Sequence, residues 1–98
     1  MTKSKRIEPE RLKLKGSIKN KDITILVDSS NICNLVDTKS AKQVNLFVYP
    51  VKNLIVSIIN DEQVEGVGGC HKVSLQIPGT QLHIRCYVLP LREVDIVL

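Results

Sequence analysis

A strand-like run that ends in an acid is the feature that most constrains how this chain can fold. Residues 23–27 read Ile-Thr-Ile-Leu-Val, and Asp28, Ser29, Ser30 and Asn31 follow directly. A short, unbroken run rich in β-branched residues predicts a strand that is buried on both faces. Such a strand is rigid, so it holds Asp28 in one place beside small side chains. A carboxylate placed in this way can serve as a general base, a metal ligand or a turn residue.

The interior must be built almost entirely from aliphatic side chains. Hydrophobic residues make up 43% of the 98 residues, whereas aromatic residues make up only 3%. A chain of this length forms one domain with a single modest core, and Val and Ile favour strands. No apolar stretch approaches the roughly 18 residues of a membrane span, and no apolar segment follows the basic N-terminus. We therefore expect an intracellular, cytoplasmic protein that does not enter a membrane.

The cysteines agree with that location. Cys33, Cys70 and Cys86 are odd in number and contain no C-x-x-C pair. Free thiols in a reducing compartment are the simplest interpretation.

The positive charge belongs to one end of the chain. Residues 1–21 contain eight of the 14 Lys and Arg residues but only two of the 10 acids, whereas residues 22–98 carry a net charge of −2. A basic segment can attract nucleic-acid phosphates, but no aromatic residues are interleaved with it to stack on bases. We therefore interpret residues 1–10 as a basic, disordered leader or linker and expect nucleic acid to bind at most weakly through it.

The rest of the chain predicts many short strands and one helix. Asp37 is a good N-cap for a helix over residues 38–44, and Pro50 interrupts the segment that follows. Tight turns are predicted at residues 20–21 and at Pro78-Gly79. The predicted strands cover residues 11–19, 22–28, 34–36, 53–59, 63–77, 81–89 and 94–98. Residues 53–77 form a hairpin with a polar tip and a glycine-bearing return arm, and the whole is a small, mostly β, barrel-like domain.

The order of these parts resembles the retropepsin-like aspartic protease domain of gypsy-type retrotransposon polyproteins. The resemblance extends from Leu12 to Leu98 and is carried by several short motifs in a fixed order. They are Leu-x-Leu-x-Gly (12–16), the run into Asp28-Ser29, Asn34-Leu35-Val36-Asp37 before the Ala41-Lys42 helix, the hairpin around Asn60, Val73-Ser74-Leu75-Gln76-Ile77-Pro78-Gly79, Tyr87-Val88-Leu89-Pro90-Leu91, and Asp95-Ile96-Val97-Leu98.

The resemblance implies a closed β barrel with one short helix and a flap hairpin, which acts as a homodimeric endopeptidase on polypeptide substrates without cofactor or metal. Each subunit would supply one catalytic acid, Asp28, and the two carboxylates would share one proton. Aspartic proteases are the standard example of such a pair. The Ser29 hydroxyl would form a hydrogen bond across the dimer. The flap tip, Ile59, Asn60 and Asp61, would close over the bound peptide.

Two departures from the family pattern bear on activity. The family has Asp-Thr/Ser-Gly where this chain has Ser30 in third position, and a Cβ with a hydroxyl would crowd the substrate and restrict the loop. Relatives also continue beyond Leu98 with a glycine, a helix and a strand of the dimer sheet. We therefore expect residues 11–98 to be a retropepsin-like domain that is truncated at its C-terminal end. Its loss of interfacial strands would favour a monomer or another pairing.

Other groups of residues give weaker indications of a functional site. Cys70, His71, His83 and Cys86 resemble zinc ligands, but adjacent strand residues, and those three apart, point to opposite faces. We interpret Cys33 as a small buried hydrophobic residue rather than a nucleophile. The glycines of residues 66–69 lack the Lys and helix of a phosphate-binding loop, and flap flexibility explains them better.

Three functions stay open on the sequence alone. The chain can be an active aspartic endopeptidase that processes a polyprotein with Asp28 as the catalytic acid. It can be a catalytically impaired domain of the same fold that acts as an interaction module. It can also be a nucleic-acid-binding fragment that uses the basic leader.

Overall fold

The computed structural model of the protein describes residues 10–57 and 62–98. Strands dominate these two ranges, and one short helix, α1 (Thr38–Gln43), accompanies them. The strands are β1 (Arg11–Ile18), β2 (Lys21–Asp28), β3 (Leu35–Asp37), β4 (Tyr49–Pro50), β5 (Ile55–Ser57), β6 (Gln63–Glu65), β7 (Gly68–Ile77), β8 (Thr80–Leu89) and β9 (Ile96–Val97). Among the described helices, none is long and apolar enough to cross a membrane.

Six of the strands close into a barrel. Their order is β1-β2-β9-β3-β8-β7, and the ring closes where Ser17 of β1 pairs with Gln76 of β7. The short strand β9 lies between β2 and β3, parallel to the first and antiparallel to the second. Gly16 makes the closure possible, because a Cβ there would lie 2.4 Å from the backbone oxygen of Gln76.

The barrel interior is aliphatic, as the composition predicts. The side chains that are almost completely inaccessible include Ile25, Val36, Val73, Leu75, Val88, Leu89 and Ile96. In β2, Ile23 and Ile25 are buried, whereas Thr24, Leu26 and Val27 are only half-buried. The prediction that both faces of this strand are fully buried is therefore wrong for the single chain, because only its inner face is covered by the core.

The turns and the helix follow from local chemistry. Lys19 and Asn20 both have positive φ, 49° and 67°, which is the backbone of the two-residue type I′ turn that suits a twisted hairpin. The turn therefore lies one residue earlier than predicted. Asp37 accepts a hydrogen bond from Ser40 N and is the N-cap of α1, as predicted. The Pro78-Gly79 turn is also confirmed, since β7 and β8 pair across it at Ile77 and Thr80.

A hairpin projects from the barrel between β4 and β7. Strands β5 and β6 pair antiparallel, with Ile55 opposite Glu65, as the sequence predicts. Its predicted tip, Ile59, Asn60 and Asp61, lies outside the described residues. Pro50 does not simply interrupt the chain, because it belongs to β4 and pairs there with Gly68 of β7.

The glycines of the return arm have a packing role. A Cβ on Gly68 would lie 2.2 Å from the backbone oxygen of Tyr49, and one on Gly69 would lie 2.5 Å from the Tyr49 hydroxyl. Close packing against Tyr49 therefore accounts for these two glycines without an appeal to flap flexibility.

Candidate functional site

Asp28 is the last residue of a strand that is held on both sides. On one side it lies directly opposite Arg11 in the β1–β2 ladder. On the other side, Asp28 N donates to the backbone oxygen of Leu98 at 3.0 Å, just beyond β9. The loop after Asp28 is anchored as well, because Ser29 N donates to the backbone oxygen of Glu10 at 3.0 Å. The backbone that carries the carboxylate is therefore fixed from two neighbouring strands, as the sequence predicts for a rigid platform.

Ser30 orients the carboxylate of Asp28. The backbone N of Ser30 donates to Asp28 Oδ1 at 2.9 Å, and the Ser30 hydroxyl donates to the same oxygen at 2.7 Å. Asn31 N donates to the backbone oxygen of Asp28 at 2.9 Å, which completes a tight turn. Ser30 does not have a positive φ, so the loop here has no need of glycine for its backbone conformation. The loop therefore accommodates Ser30 without backbone strain, and the hydroxyl is directed onto Asp28. The crowding of a substrate by Ser30 stays a prediction.

The second carboxylate oxygen of Asp28 contacts a cation. Arg11 Nε lies 3.3 Å from Oδ2, and the side chain of Arg11 is 45% exposed whereas that of Asp28 is 9% exposed. The pKa of Asp28 is lowered from its usual value. The Ser30 hydroxyl is the largest cause, followed by the Ser30 backbone N–H; partial burial opposes them, and the charge of Arg11 adds to them. All these donors stabilise the carboxylate over the carboxylic acid.

Ser29 is bound to the residue that precedes β1. Glu10 N donates to Ser29 Oγ at 2.9 Å, so Ser29 and Glu10 exchange two hydrogen bonds. The Ser29 side chain accepts in this exchange, and its O–H can still donate to a further partner. The cross-dimer hydrogen bond expected of Ser29 therefore stays a prediction that the single chain permits.

Two exposed apolar residues lie close in the chain to Asp28 or to its ladder partner Arg11. Ile32 is 97% exposed, four positions after Asp28, and Leu12 is 58% exposed, next to Arg11 on β1. Single exposed apolar side chains are common on protein surfaces, so these two residues alone do not define an interface.

The site can exchange a proton but is incomplete on its own. Arg11 is the one charged side chain within ion-pair distance of Asp28 in the ranges 10–57 and 62–98. An ionised carboxylate can act as a general base, but the general acid that donates a proton has to be a second group from elsewhere. The flap residues Ile59, Asn60 and Asp61 lie outside the described residues, so the structure does not show their distance from Asp28.

The cysteine and histidine residues do not converge. Cys70 and Cys86 face each other across β7 and β8 and are buried, whereas His71 and His83 are exposed on the other side. His71 stacks on Tyr49 with ring centroids 4.1 Å apart. This separation agrees with the prediction that alternate strand side chains point to opposite faces. No group of three or more potential metal ligands occurs within the described part of the chain.

The thiols are poor nucleophiles. Burial raises the pKa of Cys33 and Cys70. Burial, with a smaller effect of the neighbouring Cys70, raises the pKa of Cys86 to about 12. Thiolates are therefore rare at neutral pH, which agrees with the interpretation that Cys33 is not a nucleophile. Cys33 is only half-buried, however, so the prediction that it is a buried residue is wrong for the described chain.

Sequence reasoning missed two polar residues. The first is Arg11, whose contact with Asp28 follows from the hairpin register once the turn is placed at Lys19 and Asn20. The second is Asp95, which accepts hydrogen bonds from Thr24 N at 2.7 Å and from the Ser40 hydroxyl. No local pattern around Asp95 indicates these partners, because they are distant in the chain.

The comparisons with known proteins identify a fold. The solved structure of the retroviral protease-like domain of Ddi1 from Leishmania major is similar to this chain, with a TM-score of 0.66 and 15% sequence identity. The match covers 90% of this chain and 70% of that chain. No family model and no curated protein matches the sequence. The fold predicted from the sequence, a mostly β, retropepsin-like closed barrel with one short helix, is therefore confirmed. The gypsy-type origin stays a prediction.

Proposed function

We propose that this chain supplies one half of a retropepsin-like aspartic endopeptidase, with Asp28 as its catalytic acid, and that two copies form the complete site. The observation that carries the proposal is the fixed carboxylate of Asp28, oriented through Oδ1 by two hydrogen bonds from Ser30. Catalytic groups need such support, because a displacement of about 1 Å can lower a rate by about a hundredfold.

The chemistry explains why two copies are needed. Peptide hydrolysis by this route needs a base that activates water and an acid that donates a proton to the scissile carbonyl. Two adjacent carboxylates that share one proton provide both. Each chain places a single acid, Asp28, at this strand end. A second copy is therefore the simplest source of the other acid.

The fold supports the remaining parts of the proposal. The β5–β6 hairpin has the place in the chain that the family resemblance assigns to a flap. The similar Leishmania domain is described as retroviral protease-like. A polypeptide is the proposed substrate, and the sequence resemblance points to a polyprotein of retrotransposon type. The three thiols are free, which supports an intracellular setting, where thiols stay reduced.

The first experiment combines assembly with cleavage. Sedimentation equilibrium at micromolar concentration, with and without a statine peptide, measures whether a transition-state mimic drives two chains together. Cleavage of a peptide library is then followed at acidic pH for the natural chain, for Asp28→Asn and for Asp37→Asn. Asp37 is a matched control because it is also an acid at a strand end, and Asn is an equally good N-cap.

We expect the inhibitor to strengthen dimerisation and Asp28→Asn to reduce cleavage by at least about a hundredfold, the contribution typical of an acid–base group. Asp37→Asn should keep the activity. A monomer that ignores the inhibitor and cleaves nothing refutes the endopeptidase.

A second candidate is an interaction module of the same fold. It is favoured by the contacts that stabilise the charged form of Asp28, from Ser30 and from Arg11, because a permanently ionised acid cannot take part in proton sharing. Peptide binding without cleavage, unchanged in Asp28→Asn, would support this candidate. The nucleic-acid hypothesis concerns residues 1–10 and stays a prediction, tested by binding that falls steeply with salt.

A further inference from the structure

Arg11 occupies a position from which it can govern the charge of Asp28. The two residues are direct partners in the antiparallel ladder, and opposite residues of such a pair lie on the same face with Cβ atoms about 5 Å apart. Arg11 Nε and Asp28 Oδ2 are 3.3 Å apart. The contact joins adjacent strands of one hairpin, so it exists within each chain and does not depend on a partner.

This contact has a consequence for any pair of chains. Two Asp28 carboxylates brought together repel each other unless one takes up a proton. If each carboxylate arrives with its own Arg11, the four charges sum to zero and the demand for a proton is weaker. A guanidinium stays charged at every accessible pH, so Arg11 opposes protonation of the pair throughout.

Among the described residues, Arg11 is the one charged group in ion-pair contact with Asp28, and its effect adds to the larger effect of Ser30. On β1, the Glu10 side chain is exposed and its backbone binds Ser29, while Lys13 lies two positions beyond Arg11 on the same face. The loop contributes the uncharged hydroxyls of Ser29 and Ser30, and the chain beyond β9 contributes a backbone oxygen of Leu98. Ser30 contributes more to the stability of the carboxylate, through two hydrogen bonds to Oδ1 that do not involve Arg11 and that an Arg11 substitution leaves in place.

We propose that Arg11 is a positioning residue that, together with Ser30, keeps Asp28 ionised and thereby moves the working range of the paired site to lower pH than it would have without Arg11. The proposal rests on the proposed function for the pairing of two Asp28 side chains. Its first half, the control of Asp28 by Arg11, concerns the single chain and can be tested without cleavage.

The single-chain test is a carbon-detected NMR titration of the Asp28 carboxyl carbon. The natural chain is compared with Arg11→Gln, with the charge-conserving Arg11→Lys, and with Lys13→Gln, which removes the same charge two positions along the same strand. We expect the Asp28 signal to titrate at higher pH in Arg11→Gln than in the natural chain, at an intermediate pH in Arg11→Lys, and without change in Lys13→Gln.

Salt provides an internal check, since Arg11 is partly exposed. The difference between the natural chain and Arg11→Gln should shrink between about 0.01 M and 1 M salt, where the screening length falls from roughly 30 Å to 3 Å. Identical titrations of Asp28 in the natural chain and in Arg11→Gln at low salt overturn the proposal.

The paired site is tested with the statine peptide. Inhibitor-induced dimerisation needs the shared proton, so its half-maximal pH should be lower for the natural chain than for Arg11→Gln, with Lys13→Gln again unchanged. Equal half-maximal values also overturn the proposal. If no variant dimerises, the proposed endopeptidase fails, and the single-chain titration still decides whether Arg11 controls Asp28.

Discussion

Asp95→Ala tests the hydrogen bonds that connect β2 with α1 and β9. The Asp95 carboxylate accepts from Thr24 N at 2.7 Å through Oδ2 and from the Ser40 hydroxyl through Oδ1. The backbone of Asp95 continues the connection, because Asp37 N donates to its oxygen at 2.8 Å. Alanine keeps that backbone contact and removes the carboxylate.

The expected loss comes mainly from Thr24. Its N–H lies in a part-buried region and would lose its partner, which costs about 1–3 kcal/mol. Ser40 retains Asp37 as a partner and adds little. We therefore expect a loss of about 2 kcal/mol in the free energy of unfolding. For a domain of this size, such a loss lowers the melting temperature by roughly 8–16 °C.

The assay is thermal and urea unfolding followed by circular dichroism. Asp22→Ala is the control, because Asp22 is an exposed acid on β2, the strand that carries Thr24, and surface substitutions usually change stability by less than about 0.5 kcal/mol. Asp95→Asn keeps one acceptor oxygen and should fall between the two. If Asp95→Ala is as stable as Asp22→Ala, the hydrogen bond from Thr24 to Asp95 does not stabilise the fold.

Three further predictions concern the closure of the barrel, the charge of Asp28 and the thiols. Gly16→Ala should destabilise the fold by about 1–3 kcal/mol through overpacking, because its Cβ would meet the backbone oxygen of Gln76 at 2.4 Å; unchanged urea unfolding would contradict this. Asp28 has a folded-state pKa below its ordinary 3.8, so its charge contributes stability that is fully present above that pH and is lost as pH falls through the lower folded value. The stability advantage of the natural chain over Asp28→Asn should therefore shrink as the pH falls below 3.8. An advantage that grows on acidification would show that the pKa of Asp28 is not lowered in the folded chain. Iodoacetamide should label the half-buried Cys33 before Cys86, whose pKa is raised to about 12, and mass spectrometry that finds Cys86 labelled first in the folded protein would refute the assignment.

Local patterns predicted much of this structure, because several elements depend on short stretches of chain. The capping role of Asp37 follows from the residue type and the helical segment after it. The strand that ends at Asp28 follows from its run of β-branched residues. Both are present where the sequence places them.

The contact between Arg11 and Asp28 depends on a smaller detail. A turn centred on Asn20 and Lys21 would pair Asp28 with Lys13, whereas the observed turn at Lys19 and Asn20 pairs it with Arg11. A shift of one residue in the turn moves every cross-strand partner by two positions. Lysine has no strong preference for positive φ, so the sequence offers little warning that Lys19 belongs to the turn.

Long-range polar contacts lie beyond local reasoning altogether. Thr24 and Asp95 are 71 residues apart in the chain. Their meeting requires that β9 lie beside β2, which is a property of the closed barrel and not of either segment.

The position of β9 also has a consequence for the speed of folding. The two-residue strand β9, near the end of the chain, lies between β2 and β3, which are among the first strands in the sequence. The ring can be completed only after a contact that spans most of the chain has been made. Domains dominated by such distant pairings fold in milliseconds to seconds, whereas small helical proteins fold in microseconds to milliseconds. Until β9 docks, the inner edges of β2 and β3 remain open, and during that interval the chain is most exposed to pairing with strands from other molecules.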